Sequence, residues 1–176
     1  MRRLAVVAAG ALLAGVTAAS WGDDAVYAAR VTRVFDADTV WVQPAAGGRW
    51  RKLRLDGLDA PEICQAMGVA ARDALAARLL EQAVTVRERA HDSYGRGLVV
   101  IERDGEDMNA WLVRTGWAWA SRWRGQGVYV MHEDQARAAR RGLWKKDGEP
   151  PEAPRDFRRR HGPCEPPWPA PASAVR

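Results

Sequence analysis

Apolar and polar positions alternate with a period of two in several short runs between residues 25 and 102, and turn residues separate the runs. Residues 25–34, rich in β-branched side chains, predict a first strand, and residues 39–43 a second. A turn-like stretch over 44–48 leads to a third strand over 49–58. There Leu53 and Leu55 share one face, and Lys52, Arg54 and Asp56 share the other. Over 69–82 the period becomes helical, with Ala71, Leu75 and Leu79 forming an apolar stripe. Alternation returns over 84–89, a fourth strand, and 98–102 predicts a fifth, the two bracketing the glycine-flanked turn Tyr94-Gly-Arg-Gly97. Two further helices are predicted. One spans 107–115, with Asp107 as N-cap and Gly116 as stop, and the other spans 133–141, ended by Gly142. Past Lys146 the prolines, from Pro150 to Pro171, argue against regular structure over most of the remaining chain.

Three strands, a helix, two strands and two helices make an α+β chain. The order predicts a five-stranded OB-fold barrel with three helices. The length of 176 residues suits one such domain with extensions. The expected organisation is a segment over 1–20, a barrel domain over 21–146 and a Pro/Arg-rich tail over 147–176, loosely docked and pinned at Cys164.

The first segment reads as an export signal. Arg2 and Arg3 precede an uncharged run over 4–19, and Ala18-Ala-Ser20 offers small residues for cleavage near Ser20. The run is short for a membrane span, the alternative reading. A secreted or periplasmic location is therefore expected. Without residues 1–20 the chain keeps 25 basic residues against 22 acidic ones, a mild bias toward polyanionic partners. In an oxidising compartment the even pair Cys64 and Cys164 invites a disulfide, against the alternative of two free thiols. His91, His132 and His161 are scattered and give no zinc pattern.

Two acidic clusters fall at strand ends, Asp36-Ala-Asp38-Thr39 and Asp56-Gly-Leu-Asp59-Ala-Pro-Glu62. Either alone is equally a turn-forming sequence. Together with Arg54, on the strand entering the second cluster, and Arg96, in the glycine-flanked turn, they change meaning. Carboxylates and carbonyls hold a hard cation, guanidiniums bind phosphate in bidentate fashion, and a carboxylate can aim or deprotonate water. Those are the parts for phosphodiester hydrolysis.

Five segments in order then resemble the staphylococcal nuclease (thermonuclease) family: Val34-Phe-Asp-Ala-Asp-Thr-Val40, Arg54-Leu-Asp-Gly-Leu-Asp-Ala-Pro-Glu62, Tyr94-Gly-Arg-Gly-Leu98, Asn109 with Leu112-Val-Arg-Thr-Gly116, and Gly142-Leu-Trp144. The resemblance runs from about Tyr27 to Trp144. It implies a Ca2+-dependent nuclease acting on DNA and RNA, breaking the P–O5′ bond to leave 3′-phosphates. Asp38 and Asp59 would ligate calcium through their side chains and Ala60 through its carbonyl. Glu62 would hold the attacking water as base or orienter. Arg54 and Arg96 would clamp the scissile phosphate, with Arg96 near the leaving oxygen, and Asp36 and Thr39 would support the metal ligands.

The chain departs from the family pattern in places. Ala37 stands for Gly, Ala60 for Thr and Ser93 for Lys, and the loop over 63–68 is short. Trp117, Trp119, Arg122 and Trp123 replace the family's nucleotide-stacking tyrosines. Trp119 or Trp123 could stack on a base or sit as an ordinary core or surface residue. Two competing readings remain at this stage: a catalytically silent nucleic-acid-binding barrel, and a polyanion binder acting through Arg158-Arg-Arg160. A monomer acting on single-stranded or breathing regions is expected.

Overall fold

The computed structural model describes residues 24–122, 127–145 and 151–164. The predicted export signal and Trp123 lie outside the described residues. Five long strands, β1 (Ala25–Val34), β2 (Thr39–Pro44), β3 (Arg51–Leu55), β5 (Ala83–His91) and β6 (Gly97–Arg103), make a closed barrel. The sheet runs β3-β2-β1-β5-β6, and a parallel β3–β6 pairing, Leu53 opposite Gly97 and Leu55 opposite Val99, closes it. This is the predicted OB-type barrel.

The period-two pattern explains the closure. Val40, Val42, Leu53, Leu55, Val84, Val86, Val99 and Ile101 point inward and are almost fully buried. Burying each such side chain is worth about 1.5–3 kcal/mol. Helix α1 (Gly68–Leu79) caps the barrel with the predicted stripe, Ala71, Leu75 and Leu79.

Several elements differ from prediction at their ends. Helix α1 stops at Leu79 instead of reaching 82. Glu81 turns left-handed at φ 62, its N–H bonds the carbonyl of Val31, and the Val31 N–H bonds the carbonyl of Gln82, so the chain is captured by β1. The third predicted strand breaks in two. Gly57, at φ 77, lies where a Cβ would meet the Tyr129 ring at 2.8 Å, and the chain re-forms as β4 (Leu58–Asp59). A short strand β7 (Glu106–Asp107) follows β6, and helix α2 (Met108–Arg114) begins at the predicted cap, where Asp107 Oδ1 accepts the Ala110 N–H at 2.9 Å. Strand β8 (Trp119–Ala120) pairs with β4. Helix α3 (Val130–Ala138) starts before the predicted 133. It ends before 141, because Arg140 takes φ 50 and the Arg141 N–H reaches back to the Ala136 carbonyl.

The tail corrects the expectation of irregular structure and of three helices. Pro154–His161 forms a further helix, α4. Pro154 sits in its first turn, where a missing N–H costs nothing, and no other proline interrupts it. The tail is tied to the barrel by the Cys64–Cys164 disulfide and by Gln65 Nε2 donating to the Glu152 carbonyl at 2.8 Å. Among the described residues no helix is long and apolar enough to cross a membrane.

Candidate active site

The β1–β2 hairpin, the end of β3 and the β5–β6 turn converge at one end of the barrel. In the hairpin, Asp36 Oδ1 accepts the Asp38 N–H at 2.9 Å, folding the loop so that the Asp38 carboxylate turns inward, 4% exposed. The hydroxyl of Thr39 donates to Asp38 Oδ1 at 2.9 Å, and the Ala60 N–H approaches Asp38 Oδ2 at 3.4 Å. Thr39 stands opposite Arg54 in the β2–β3 register, so the Arg54 side chain emerges beside Asp38. Its Nη1 donates to Asp38 Oδ1 at 2.7 Å and its Nη2 to Asp59 Oδ1 at 3.2 Å. One guanidinium therefore spans the two aspartates.

Buried Asn109 holds the floor in place. Its Nδ2 donates to the carbonyls of Asp56 and Val99, both at 2.9 Å, and its Oδ1 accepts the Ile101 N–H at 3.2 Å. That side chain locks α2 to the end of β3 and to β6, the strand that follows Arg96.

A pocket of about 320 Å³ opens over this floor, lined by Asp36, Asp38, Arg54, Ala60, Glu62 and Arg96 among others. Tyr94, 84% exposed, stands at its rim with Arg96 about 5.5 Å from its ring centre. The predicted residues thus meet around one pocket with a single partial exception. Asp59 opens onto the adjoining groove, and Arg54, which lines both cavities, links it to Asp38.

The electrostatics follow from crowding acids in a partly dry site. Loss of water around the carboxyl, with Asp38 beside it, pushes Asp36 up to about 8. Burial works to lower Arg54, but Asp38, Asp59 and Asp36 outweigh it and hold it above its ordinary value. At the pocket's other wall Arg96 Nε donates to Asp92 Oδ2 at 2.7 Å. Asp92 loses some water, but the backbone and side-chain hydrogen bonds of Arg96 prevail and hold it below the usual carboxylate range.

Among the described residues no three of His, Cys, Asp and Glu converge as a ready metal cage. The reason is visible: arginine heads stand between the carboxylates. The donor set nevertheless fits a hard cation. Asp38 and Asp59 lie within the span of one guanidinium, and all side-chain donors are oxygens.

One participant was not singled out for this site in the sequence. Arg158 of α4 donates from Nη1 to Glu62 Oε1 at 2.5 Å and to Asp59 Oδ1 at 3.2 Å, and from Nη2 to Asp59 Oδ2 at 3.2 Å. The signal was there in the cysteines. Cys64 lies two residues past Glu62, and Cys164 six past Arg158, so their bond brings the basic tail to the acidic loop. The tryptophans behave differently. Trp119 is 8% exposed, packs edge-on against Trp144 with ring centres 5.6 Å apart, and borders the groove beside Asp59.

The chain is similar to known proteins. Residues 52–146 match the family model described as staphylococcal nuclease homologue. A micrococcal nuclease of Shigella flexneri is 36% identical over 152 residues, covering 80% of this chain and 83% of the relative. Protein ParB of Escherichia coli is 35% identical over 161 residues, 81% of this chain and 86% of the relative. An uncharacterized endonuclease of Escherichia coli O157:H7 is 35% identical over 123 residues, 69% of this chain and 78% of the relative. With the barrel topology and these alignments in agreement, the chain belongs to the staphylococcal nuclease family.

Proposed function

We propose that this protein is a calcium-dependent nuclease, exported and monomeric, that hydrolyses DNA and RNA at the P–O5′ bond to leave 3′-phosphates. The observation that carries this reading is Arg54 spanning Asp38 and Asp59 at the mouth of a pocket shared with Glu62 and Arg96. The names of the relatives, a micrococcal nuclease and an endonuclease, support nucleic acid as the substrate.

Asp38, Asp59 and the Ala60 carbonyl would hold the cation, which when bound neutralises a phosphate oxygen and stabilises charge as it develops. Arg54 and Arg96, on two walls of the pocket, hold the non-bridging oxygens of the phosphodiester through paired N–H donors. Glu62 orients a water and takes its proton as oxygen attacks phosphorus. The P–O5′ bond breaks, and the 5′-oxygen leaves beside Arg96 and takes a proton from solvent water to become a hydroxyl. Backbone and side-chain donors fixed before the reaction supply most of the stabilisation in sites of this kind.

Residues 1–20 are proposed as an export signal, and the Cys64–Cys164 disulfide suits an oxidising secreted or periplasmic setting. N-terminal sequencing of protein recovered from outside the producing cytoplasm would read Trp21 or a neighbour as the first residue.

The test of function is digestion of a 5′-labelled single-stranded DNA and a matching RNA, with calcium and then with chelator. Cleavage with calcium alone, leaving 3′-phosphate ends, is the expected result. Binding without cleavage under both conditions would select the silent barrel instead.

A further inference from the structure

The basic run Arg158-Arg-Arg160 does not act as one patch. Arg159 pairs with Asp156 at 2.9 Å and Arg160 with Glu152, both within the tail itself. Only Arg158 turns to the barrel, and it takes both oxygens of Asp59 together with one oxygen of Glu62. We propose that Arg158 and a divalent cation compete for Asp59, so that the C-terminal helix sets the cation concentration at which the site loads. This rests on the assignment of Asp59 as a cation ligand made above.

The competition is a matter of lone pairs and charge. A guanidinium keeps its proton at any working pH, so it cannot become neutral to share a carboxylate with a cation. A cation on Asp59 needs oxygens that Arg158 now fills, and two positive centres a few ångströms apart in a partly dry pocket repel strongly. Whatever binds the empty site and not the loaded one lowers the apparent affinity for the cation by mass action.

Arg158 competes from a short tether. The disulfide joins a residue two past Glu62 to one six past Arg158, and the Gln65–Glu152 bond fastens the start of the same segment. A tethered group acts at a high effective concentration without needing strong contacts of its own. Arg54 touches Asp59 too, but it belongs to a barrel strand, is anchored on Asp38 and leaves 23% of its side chain exposed, against 40% for Arg158. Arg158 is the guanidinium that can withdraw, because releasing it only requires α4 to shift on its clip.

Calcium titration of the full-length protein, followed by calorimetry and by luminescence of terbium as a calcium substitute, tests this directly. Arg158→Ala is expected to bind calcium about tenfold more tightly than the unsubstituted protein, the loss of a charge-assisted hydrogen-bonded pair. Arg158→Gln, which keeps most of the side-chain bulk, should shift the same way. Cys64→Ser combined with Cys164→Ser lengthens the tether and should tighten binding several-fold without altering Arg158. Arg155→Ala, on the same helix but without a bond to Asp59 or Glu62, should leave the constant unchanged.

Equal or weaker calcium binding by the Arg158 variants would overturn the proposal while leaving the cation reading intact. Weaker binding of a single-stranded oligonucleotide at unchanged calcium affinity would overturn it as well and reassign Arg158 to the substrate. If none of the proteins, including the unsubstituted one, binds calcium or terbium, the cation reading itself fails and the competition falls with it.

Discussion

Asp92 holds Arg96 by two atoms at once: its Oδ1 accepts the Arg96 backbone N–H at 2.9 Å and its Oδ2 the Arg96 Nε at 2.7 Å. The same Oδ1 also accepts the Tyr94 N–H at 2.9 Å, so one carboxylate shapes the turn and aims the guanidinium. Asp92→Ala should therefore cost turnover without removing a group that touches substrate. A loss of about 10- to 100-fold in kcat is expected, the usual cost of misplacing a reacting group. Asp92→Asn should recover part of it, because the amide oxygen can still cap the turn. Steady-state kinetics of both variants check this; equal rates for Asp92→Ala and the unsubstituted protein would remove Asp92 from the positioning of Arg96.

Arg54 has a second task, since its guanidinium bridges Asp38 and Asp59. Arg54→Ala leaves these acids, with Asp36 beside them, facing one another in a partly dry pocket. We expect a loss of stability of about 2–4 kcal/mol in chelator, the scale for stripping the partner from a buried charge. Calcium should restore most of that stability but none of the activity. Urea unfolding with and without calcium separates the two effects, and a variant as stable as the parent in chelator would show that Arg54 does not offset the acids.

How much of this was legible in the chain depends on the range of the interaction. The period-two alternation placed Leu53 and Leu55 on one face because a strand's inward residues are set by local geometry. The stripe Ala71, Leu75 and Leu79 was legible for the same reason. The end of α1 was not, because Glu81 is claimed by Val31, fifty residues earlier in the chain. Asp38, Arg54, Glu62 and Arg96 could be nominated by residue type and motif order. The predicted Cys64–Cys164 bond brought the basic tail toward the acidic loop, but that Arg158 is the arginine to reach it was not legible, because that depends on a helix the surrounding prolines obscure.

Asn109 satisfies three backbone groups from a position with no solvent exposure. Removing its amide strands the Asp56 carbonyl and the Ile101 N–H, while the Val99 carbonyl keeps the Asp56 N–H at 2.8 Å. Each unsatisfied buried group costs about 1–3 kcal/mol, so Asn109→Ala should lose at least about 2 kcal/mol. Asn109→Asp keeps the acceptor but loses both donors and adds buried charge, and should be no better. Activity per folded molecule should fall too, since the Asp56 carbonyl lies three residues before Asp59. Denaturant midpoints near the parent's for Asn109→Ala would refute the tie between α2 and the site.

Asp36 gives the protein in chelator a pH dependence of defined sign. Its carboxyl is pushed up to about 8 in the fold, first by lost hydration and then by Asp38, from an ordinary value near 3.8. Between those values the folded state holds a proton that the unfolded chain has released. Stability must then fall as pH rises from about 4 to about 8, and flatten above. Asp36→Asn, which never charges, should be the more stable protein at pH 8 and should lose most of this slope, while at pH 4 the two should differ little. The Asn oxygen can still accept the Asp38 N–H, so the hairpin loop keeps its shape. Thermal unfolding of both proteins in chelator across this pH range decides the matter: parallel curves would mean that Asp36 ionises in the fold as it does in the unfolded chain.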